Sequence, residues 1–214
     1  MIRYLLLDLD NTLYPATTGL GEEMDKRMTD FVADQLSVSP AEAQTLRRQN
    51  VRLHGSTLRW LSESVGVDLE QYLEAVHPSD PETWIGPEHS IAAQDTLNRI
   101  DMPASILTNS PREHAERVLE CLGVRNRFEY LFDLRWSGFT GKPAQTVYER
   151  ALESTGVSAD ETLLVDDVLQ YLLPFRSLGG HVVQICAGAC GGATVPRIGA
   201  LHELIPFLGL RRSS

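Results

Sequence analysis

Asp8 and Asp10 stand two residues apart in the run Asp8-Leu9-Asp10-Asn11-Thr12, and a second carboxylate pair, Asp166-Asp167, stands far down the chain. Two close carboxylates repel, so ionising both requires a cation or a shared proton. Four such groups in one place call for a hard divalent ion with oxygen ligands. Mg²⁺, which binds through a few carboxylates together with substrate phosphate, suits that set best. Lys142 offers a compact positive charge for phosphoryl oxygens, and Thr108, Asn109 and Ser110 offer hydroxyl and amide groups. Taken singly, each Asp is as readily a turn or capping residue. The chemistry follows only if the chain brings these groups together.

Each cluster follows a short apolar run. Residues 4–7, 104–107, 130–134, 162–165 and 181–185 read as buried strands, because parallel strands covered on both faces are continuously apolar rather than alternating. Between the later runs lie helical patterns at 111–122, 143–155 and 169–178. The first two open on Pro and all three are followed by Gly, as helices are. This βαβ rhythm predicts an α/β fold with a doubly wound, mostly parallel, Rossmann-like sheet. In such sheets ligands bind outside the carboxyl ends of the strands. Asp8, Asp10 and Thr12 fall at the end of the first strand, and Thr108, Asn109 and Ser110 at the end of the second. Lys142 follows the third, and Asp166 and Asp167 the fourth. If the first strand runs on through them, Asp8 and Asp10 point to the same face.

From Leu13 to about Pro87 no strand is legible. Helical patterns cover 22–36, 40–54, 56–65 and 68–77, and Ser39-Pro40-Ala41-Glu42 reads as a capping box with Pro at the first helical position. The stretch 78–87 holds three prolines and reads as a linker. The expected organisation is a core of 1–15 and 88–214 carrying an all-helical cap at 16–87, with hinges near 19–21 and 78–87.

Composition narrows the partners. A net charge of −10 argues against a nucleic-acid grip, which needs basic patches. An anionic substrate then needs a local cation at the site. No stretch reaches the roughly 20 apolar residues that span a bilayer, and the run 4–7 is cut by Asp8, too short for a signal peptide. A soluble, cytoplasmic protein is expected, as monomer or homodimer. Three cysteines predict no disulfide framework. Cys186 and Cys190 lack the second pair that a zinc site needs. The Gly-rich stretch 188–192 lacks phosphate-loop spacing and reads as a flexible loop. Trp60 and Trp84 read as packing residues, and Tyr14 and Pro15 either line the crevice mouth or shape the turn.

In order, Asp8-Leu-Asp10-Asn-Thr12, Leu107-Thr108-Asn109, Gly141-Lys142-Pro143 and Val165-Asp166-Asp167 resemble the four motifs of the haloacid dehalogenase (HAD) superfamily of phosphatases. The helical insertion resembles the cap which that family carries at this position. Asp8 to Pro15, with His54-Gly-Ser-Thr-Leu-Arg59 in the insertion, resembles the pyrimidine 5′-nucleotidase branch.

The resemblance implies a Mg²⁺-dependent phosphomonoester hydrolase. Asp8 is then the nucleophile that becomes an aspartyl-phosphate, and Asp10 is the general acid and base. Asp8, the Asp10 carbonyl, Asp167 and Asp166 surround the metal. Thr108 and the Asn109 N–H hold the phosphoryl oxygens and Lys142 neutralises charge, with Arg59 a candidate substrate contact from the cap. The substrate is a small phosphorylated metabolite, a pyrimidine nucleoside 5′-monophosphate by the branch. A sugar-phosphate or phosphoglycolate phosphatase, or a phosphomutase, shares the same core motifs. A dehalogenase of this fold needs neither Asp10 nor the metal. A receiver-like phosphoacceptor places its acids on different strands, and a silent binding protein has no use for all four motifs.

Overall fold

The computed structural model describes residues 1–188 and 194–210. Among the described residues six strands form one sheet: β1 (Tyr4–Leu7), β2 (Ala104–Leu107), β3 (Leu131–Phe132), β4 (Thr162–Asp166), β5 (His181–Ile185) and β6 (Arg197–Ile198). Their order is β3-β2-β1-β4-β5-β6, and every neighbouring pair is parallel. The strand order reverses between β1 and β4. This is the expected doubly wound, Rossmann-type α/β sheet, and the reversal is where such sheets open a crevice.

Register explains why the apolar runs are continuous. Leu6 lies opposite Leu164, and Leu164 opposite Val182. Together with Leu107 and Phe132 these side chains form one buried cluster. Onto it pack Val147, Tyr148 and Ala151 of α7 (Gln145–Thr155) and Leu172 and Phe175 of α8 (Leu169–Ser177). The alternate residues Leu5, Leu7, Leu163 and Val165 are equally closed off. Each fully buried Leu or Phe contributes about 1.5–3 kcal/mol. A polar residue inside these runs is costly unless it finds a partner, as Ser105 does in Tyr4 Oη (2.5 Å) and Gln184 does in Asp167 C=O (2.9 Å).

Four details differ from the expectation. The third strand is only Leu131–Phe132, not 130–134. Tyr130 is half-exposed and stacks on Phe132, with ring centroids 5.4 Å apart, and Asp133 turns the chain by accepting from the Trp136 N–H at 3.0 Å. The helix expected from Pro143 starts at Gln145, because a turn closed by Ala144 N–H on Gly141 C=O (3.1 Å) comes first. A helix, α5 (Pro87–Leu97), follows the proline-rich stretch directly, with Pro87 in its first turn. The two-residue β6 and the short α9 (Leu204–Phe207) were not legible either. Helix α6 (Arg112–Cys121) lies as expected, before Gly123.

The chain divides into two compact units, Met1–Thr18 with Pro81–Ser214, and Gly19–Asp80. The second contains α1 (Leu20–Leu36), α2 (Pro40–His54), α3 (Thr57–Ser64) and α4 (Leu69–Val76). Three of these begin on side-chain caps: Ser39 accepts from Glu42 N–H, Ser56 from Arg59 N–H and Asp68 from Glu70 N–H. Phe31 meets Tyr72 edge-on at 5.2 Å. The buried Arg47 ties three of the helices, donating to Asp25, Thr29 and Thr57. Trp60 is buried, as a packing residue should be.

Among the described residues no helix is long and apolar enough to cross a membrane. Cys190, and residues 189–192 of the stretch read as a flexible loop, lie outside the described residues. Cys121 is a free thiol. Cys186 is disulfide-bonded, which the low cysteine count did not lead one to expect.

Candidate active site

Strand β1 ends at Leu7, but the Asp8 N–H still donates to Val165 C=O at 2.9 Å. The chain then turns sharply. Thr12 N–H and Leu13 N–H both reach Leu9 C=O, at 3.3 and 3.0 Å, and Asn11 sits at φ 58°. That left-handed conformation suits Asn better than most residues. The strand does not run on through Asp10, so Asp8 and Asp10 do not share a strand face as the spacing had suggested. The turn instead gives each carboxylate its own surroundings.

Asp8 meets Lys142 and Asp166. Lys142 Nζ donates to Asp8 Oδ1 at 2.7 Å and to Asp166 Oδ2 at 2.6 Å, and all three side chains are nearly closed to solvent. Burial alone would lower the Lys142 pKa, but the charges of Asp166 and Asp8 outweigh it and hold the ammonium well above its ordinary range. Burial pushes Asp8 up, with Lys142 opposing and Asp10 adding to the rise. Asp166 also moves up, by burial and by the charge of Asp8. Asp167 is pushed up to about 7 by burial and then by Asp8. Carboxylate oxygens of Asp8, Asp166 and Asp167 lie within 4.8 Å of one another. One ammonium cannot neutralise three carboxylates, and all the donors are hard oxygens. The residues present therefore fit a hard divalent cation such as Mg²⁺.

Asp10 is held differently. Its Oδ1 accepts from Tyr14 Oη at 2.6 Å and lies 2.8 Å from His114 Nε2, while its Oδ2 accepts from Ser110 Oγ at 2.6 Å. Burial would raise its pKa, but His114, Ser110 and Tyr14 together hold it well below the usual carboxylate range. The Asp10 carboxylate is not one of the three whose oxygens lie together.

The ends of β2 and the loop after β3 are joined by Asn109. Its Nδ2 donates to Lys142 C=O at 2.9 Å, and its Oδ1 accepts from Lys142 N–H at 2.7 Å. Gly141 makes this approach feasible. It sits at φ +63°, and a Cβ there would stand 2.6 Å from Asn109 Oδ1. Thr108 Oγ1 accepts from Ser110 N–H at 3.0 Å, which fixes the turn after β2. Thr12 Oγ1 donates to Asp8 Oδ2 at 3.2 Å, and Asn11 Nδ2 to Asp167 Oδ2 at 3.4 Å. Lys142 also lies 5.2 Å from the ring centre of Tyr171.

The first unit thus gathers Asp8, Asp10, Thr108, Asn109, Lys142, Asp166 and Asp167 at the carboxyl ends of its strands. Arg59 lies on α3 of the second unit, exposed, with its Nε 2.7 Å from Glu63. Sequence reasoning missed His114 and the bond of Tyr14 to Asp10. The signal was there: His114 sits on the apolar face of α6 among buried Ala115, Val118 and Leu119. A fully buried His needs a polar partner. A cavity of about 530 Å³ opens beside Asn11, Thr12 and Asp167, with Leu13, Ala93 and Leu201 in its walls.

Comparison with known proteins gives the family. Residues 2–170 match the family described as haloacid dehalogenase-like hydrolase. Phosphoglycolate phosphatase of Photobacterium profundum is 24% identical over 87% of this chain and 84% of its own. Phosphate metabolism protein 8 of Saccharomyces cerevisiae is 23% identical over 86% of this chain, which spans 61% of the yeast protein. Among solved structures, the HAD phosphatase of Thermococcus onnurineus has a TM-score of 0.66 at 20% identity, over 99% of this chain and 100% of its own. The magnesium-bound YfnB of Bacillus subtilis has a TM-score of 0.68 at 18% identity, over 98% and 99%. L-2-haloacid dehalogenase of Xanthobacter autotrophicus shares the fold too, with a TM-score of 0.62 at 15% identity over 99% and 100%.

Proposed function

Because this chain belongs to the haloacid dehalogenase-like hydrolases, we propose that it is a Mg²⁺-dependent phosphatase of small phosphate monoesters, working through an aspartyl-phosphate on Asp8. One observation carries the choice of phosphate over carbon–halogen chemistry. A second carboxylate, Asp10, is held in place beside the first by three donors. Displacing halide from carbon needs a nucleophile but no proton carrier, whereas an ester oxygen must be protonated as it leaves.

In the first half-reaction an Asp8 oxygen attacks phosphorus in line. The bond from phosphorus to the leaving oxygen breaks, and Asp10, once protonated in the substrate complex, gives that oxygen its proton. In the second, Asp10 takes a proton from water, the water oxygen bonds to phosphorus, and the Asp8–phosphorus bond breaks to release orthophosphate. Lys142 holds Asp8 in place and offsets its charge. The Thr108 hydroxyl and the Asn109 N–H would bind phosphoryl oxygens. Asp8, Asp166, Asp167 and the Asp10 carbonyl would hold Mg²⁺, which supplies positive charge to the phosphoryl group.

For the substrate, we favour a pyrimidine nucleoside 5′-monophosphate, on the strength of the runs Asp8 to Pro15 and His54 to Arg59. A phosphoglycolate-type substrate is the second reading, supported by the Photobacterium relative. The test is a panel of nucleotides, sugar phosphates and phosphoglycolate, assayed by phosphate release with Mg²⁺ and with chelator. The expected profile favours pyrimidine monophosphates, and Asp8→Asn lowers turnover at least ~10³-fold. A sugar- or glycolate-biased profile overturns the nucleotide assignment. Full activity of Asp8→Asn, or in chelator, overturns the mechanism.

A further inference from the structure

We infer that His114, Ser110 and Tyr14 are positioning residues that clasp Asp10, leaving one lone pair of its Oδ2 for proton exchange with the substrate. This rests on the reading of Asp10 as the proton carrier. An ionised carboxylate offers about four lone-pair sites. Two on Oδ1 are occupied by Tyr14 Oη (2.6 Å) and His114 Nε2 (2.8 Å), and one on Oδ2 by Ser110 Oγ (2.6 Å). One site remains, and it belongs to Oδ2.

The three donors come from three separate places in the fold: the turn after β1, the turn after β2, and the first turn of α6. Pins at both oxygens, from different directions, fix the carboxylate plane as well as its position. All three donors are buried, with His114 at 0% exposure, Tyr14 at 2% and Ser110 at 6%. Their rotamers are set by packing rather than by solvent. His114 is the telling member. A histidine on the apolar face of α6 costs folding free energy unless its ring nitrogens are satisfied, and its Nε2 is directed at Asp10. A carboxylate displaced by about 1 Å at a reacting centre costs on the order of 10²-fold in rate, so such a clasp has a kinetic consequence.

Leaving-group dependence separates this role from a merely structural one. p-Nitrophenolate departs from phosphorus without needing a proton, whereas an alkoxide does not. The comparison is kcat/KM for p-nitrophenyl phosphate and for an alkyl ester, glycerol 3-phosphate or the best nucleoside monophosphate, which reports events up to cleavage of the ester bond. His114→Ala is expected to lower kcat/KM for the alkyl ester ~10²-fold and for the aryl ester less than ~5-fold. His114→Gln, which keeps a donor, recovers at least ~10-fold of the alkyl loss. Tyr14→Phe removes a single oxygen and gives the same asymmetry, about 10-fold; it carries the test if His114→Ala does not fold. Equal losses on both esters, or none, overturn the clasp while leaving the phosphatase reading intact. A wild-type protein that hydrolyses neither ester overturns both.

Discussion

Lys142 Nζ lies 2.6 Å from Asp166 Oδ2, and both side chains are shut away from solvent. The two residues sit on different elements, one in the loop after β3 and one at the end of β4. Their ion pair, extended to Asp8 at 2.7 Å, joins the strand that leads into Asp8 to its neighbour. The ammonium is therefore a structural member of this end of the sheet.

Replacing that ammonium should cost stability. Lys142→Met leaves Asp8 and Asp166 buried without a counter-charge, and removing one partner of a buried pair costs about 3 kcal/mol. Urea unfolding should report a loss of that size along with loss of hydrolysis. Adding Asp166→Asn should recover part of the stability and none of the activity. An unchanged unfolding midpoint for Lys142→Met would show that the pair contributes nothing net.

Three carboxylates facing one ammonium should make the folded state sensitive to divalent ions. At Mg²⁺ a hundred times its dissociation constant the gain is about 2.7 kcal/mol, or roughly 5–10 °C in Tm for a chain of this size. Asp167→Ala, which removes one of the three carboxylates, should abolish most of that shift while the protein stays folded. A Tm indifferent to Mg²⁺ in the native protein would refute the metal site.

Gly141→Ala tests the link between Asn109 and Lys142. The new Cβ would meet Asn109 Oδ1 at 2.6 Å on a backbone at φ +63°. The expected cost is about 1–3 kcal/mol, with reduced turnover. Asn109→Ala breaks the same bonds, so the double variant should lose less than the sum of the two single losses. Additive losses would mean that Gly141 acts elsewhere.

Tyr4 should shape the alkaline limb of stability. Burial first, offset by its bond to Ser105 and reinforced by the charge of Glu129, pushes its hydroxyl from 10.0 up to about 12. Below about pH 10 the phenol is protonated in both the folded and the unfolded chain, and its contribution is fully present. Between about 10 and 12 the unfolded chain ionises first, so stability falls as pH rises, by about 2 kcal/mol in all. Urea titrations at pH 9 and 11.5 should show that fall, and Tyr4→Phe should show a smaller one. Equal falls would place the effect on other tyrosines.

The strands were legible because their surroundings are uniform. Leu5, Leu6 and Leu7 must all be apolar when both faces of the sheet are covered, and the first residue that need not be is Asp8. Asp166 reads the same way after Leu163, Leu164 and Val165. What stayed hidden was short or set by partners. Arg197–Ile198 is two residues long and carries no period. Helix α5 directly follows a proline-rich stretch that reads as a linker, although Pro87 is itself a good first helical residue. The clasp around Asp10 depends on a turn, not a strand, so spacing along the chain pointed Asp10 the wrong way. Asn109 was read for its N–H, yet its side chain holds the backbone of Lys142, a role only the folded loop reveals.

Strand β1 lies in the middle of the sheet, paired with residues 104–106 on one side and 162–165 on the other. It precedes the other five described strands in the chain, yet its second neighbour, β4, comes only at Thr162–Asp166. Until β4 has been made, Tyr4 to Leu7 can be flanked by β2 alone. Only then do Asp8 and Asp166 meet around Lys142. A chain stopped short of residue 162 keeps Asp8 but lacks Asp166 and Asp167. It would carry a sticky, half-flanked strand that invites association with other chains. Chaperone capture of such stalled chains would centre on this N-terminal segment, far in sequence from the point where synthesis ceased.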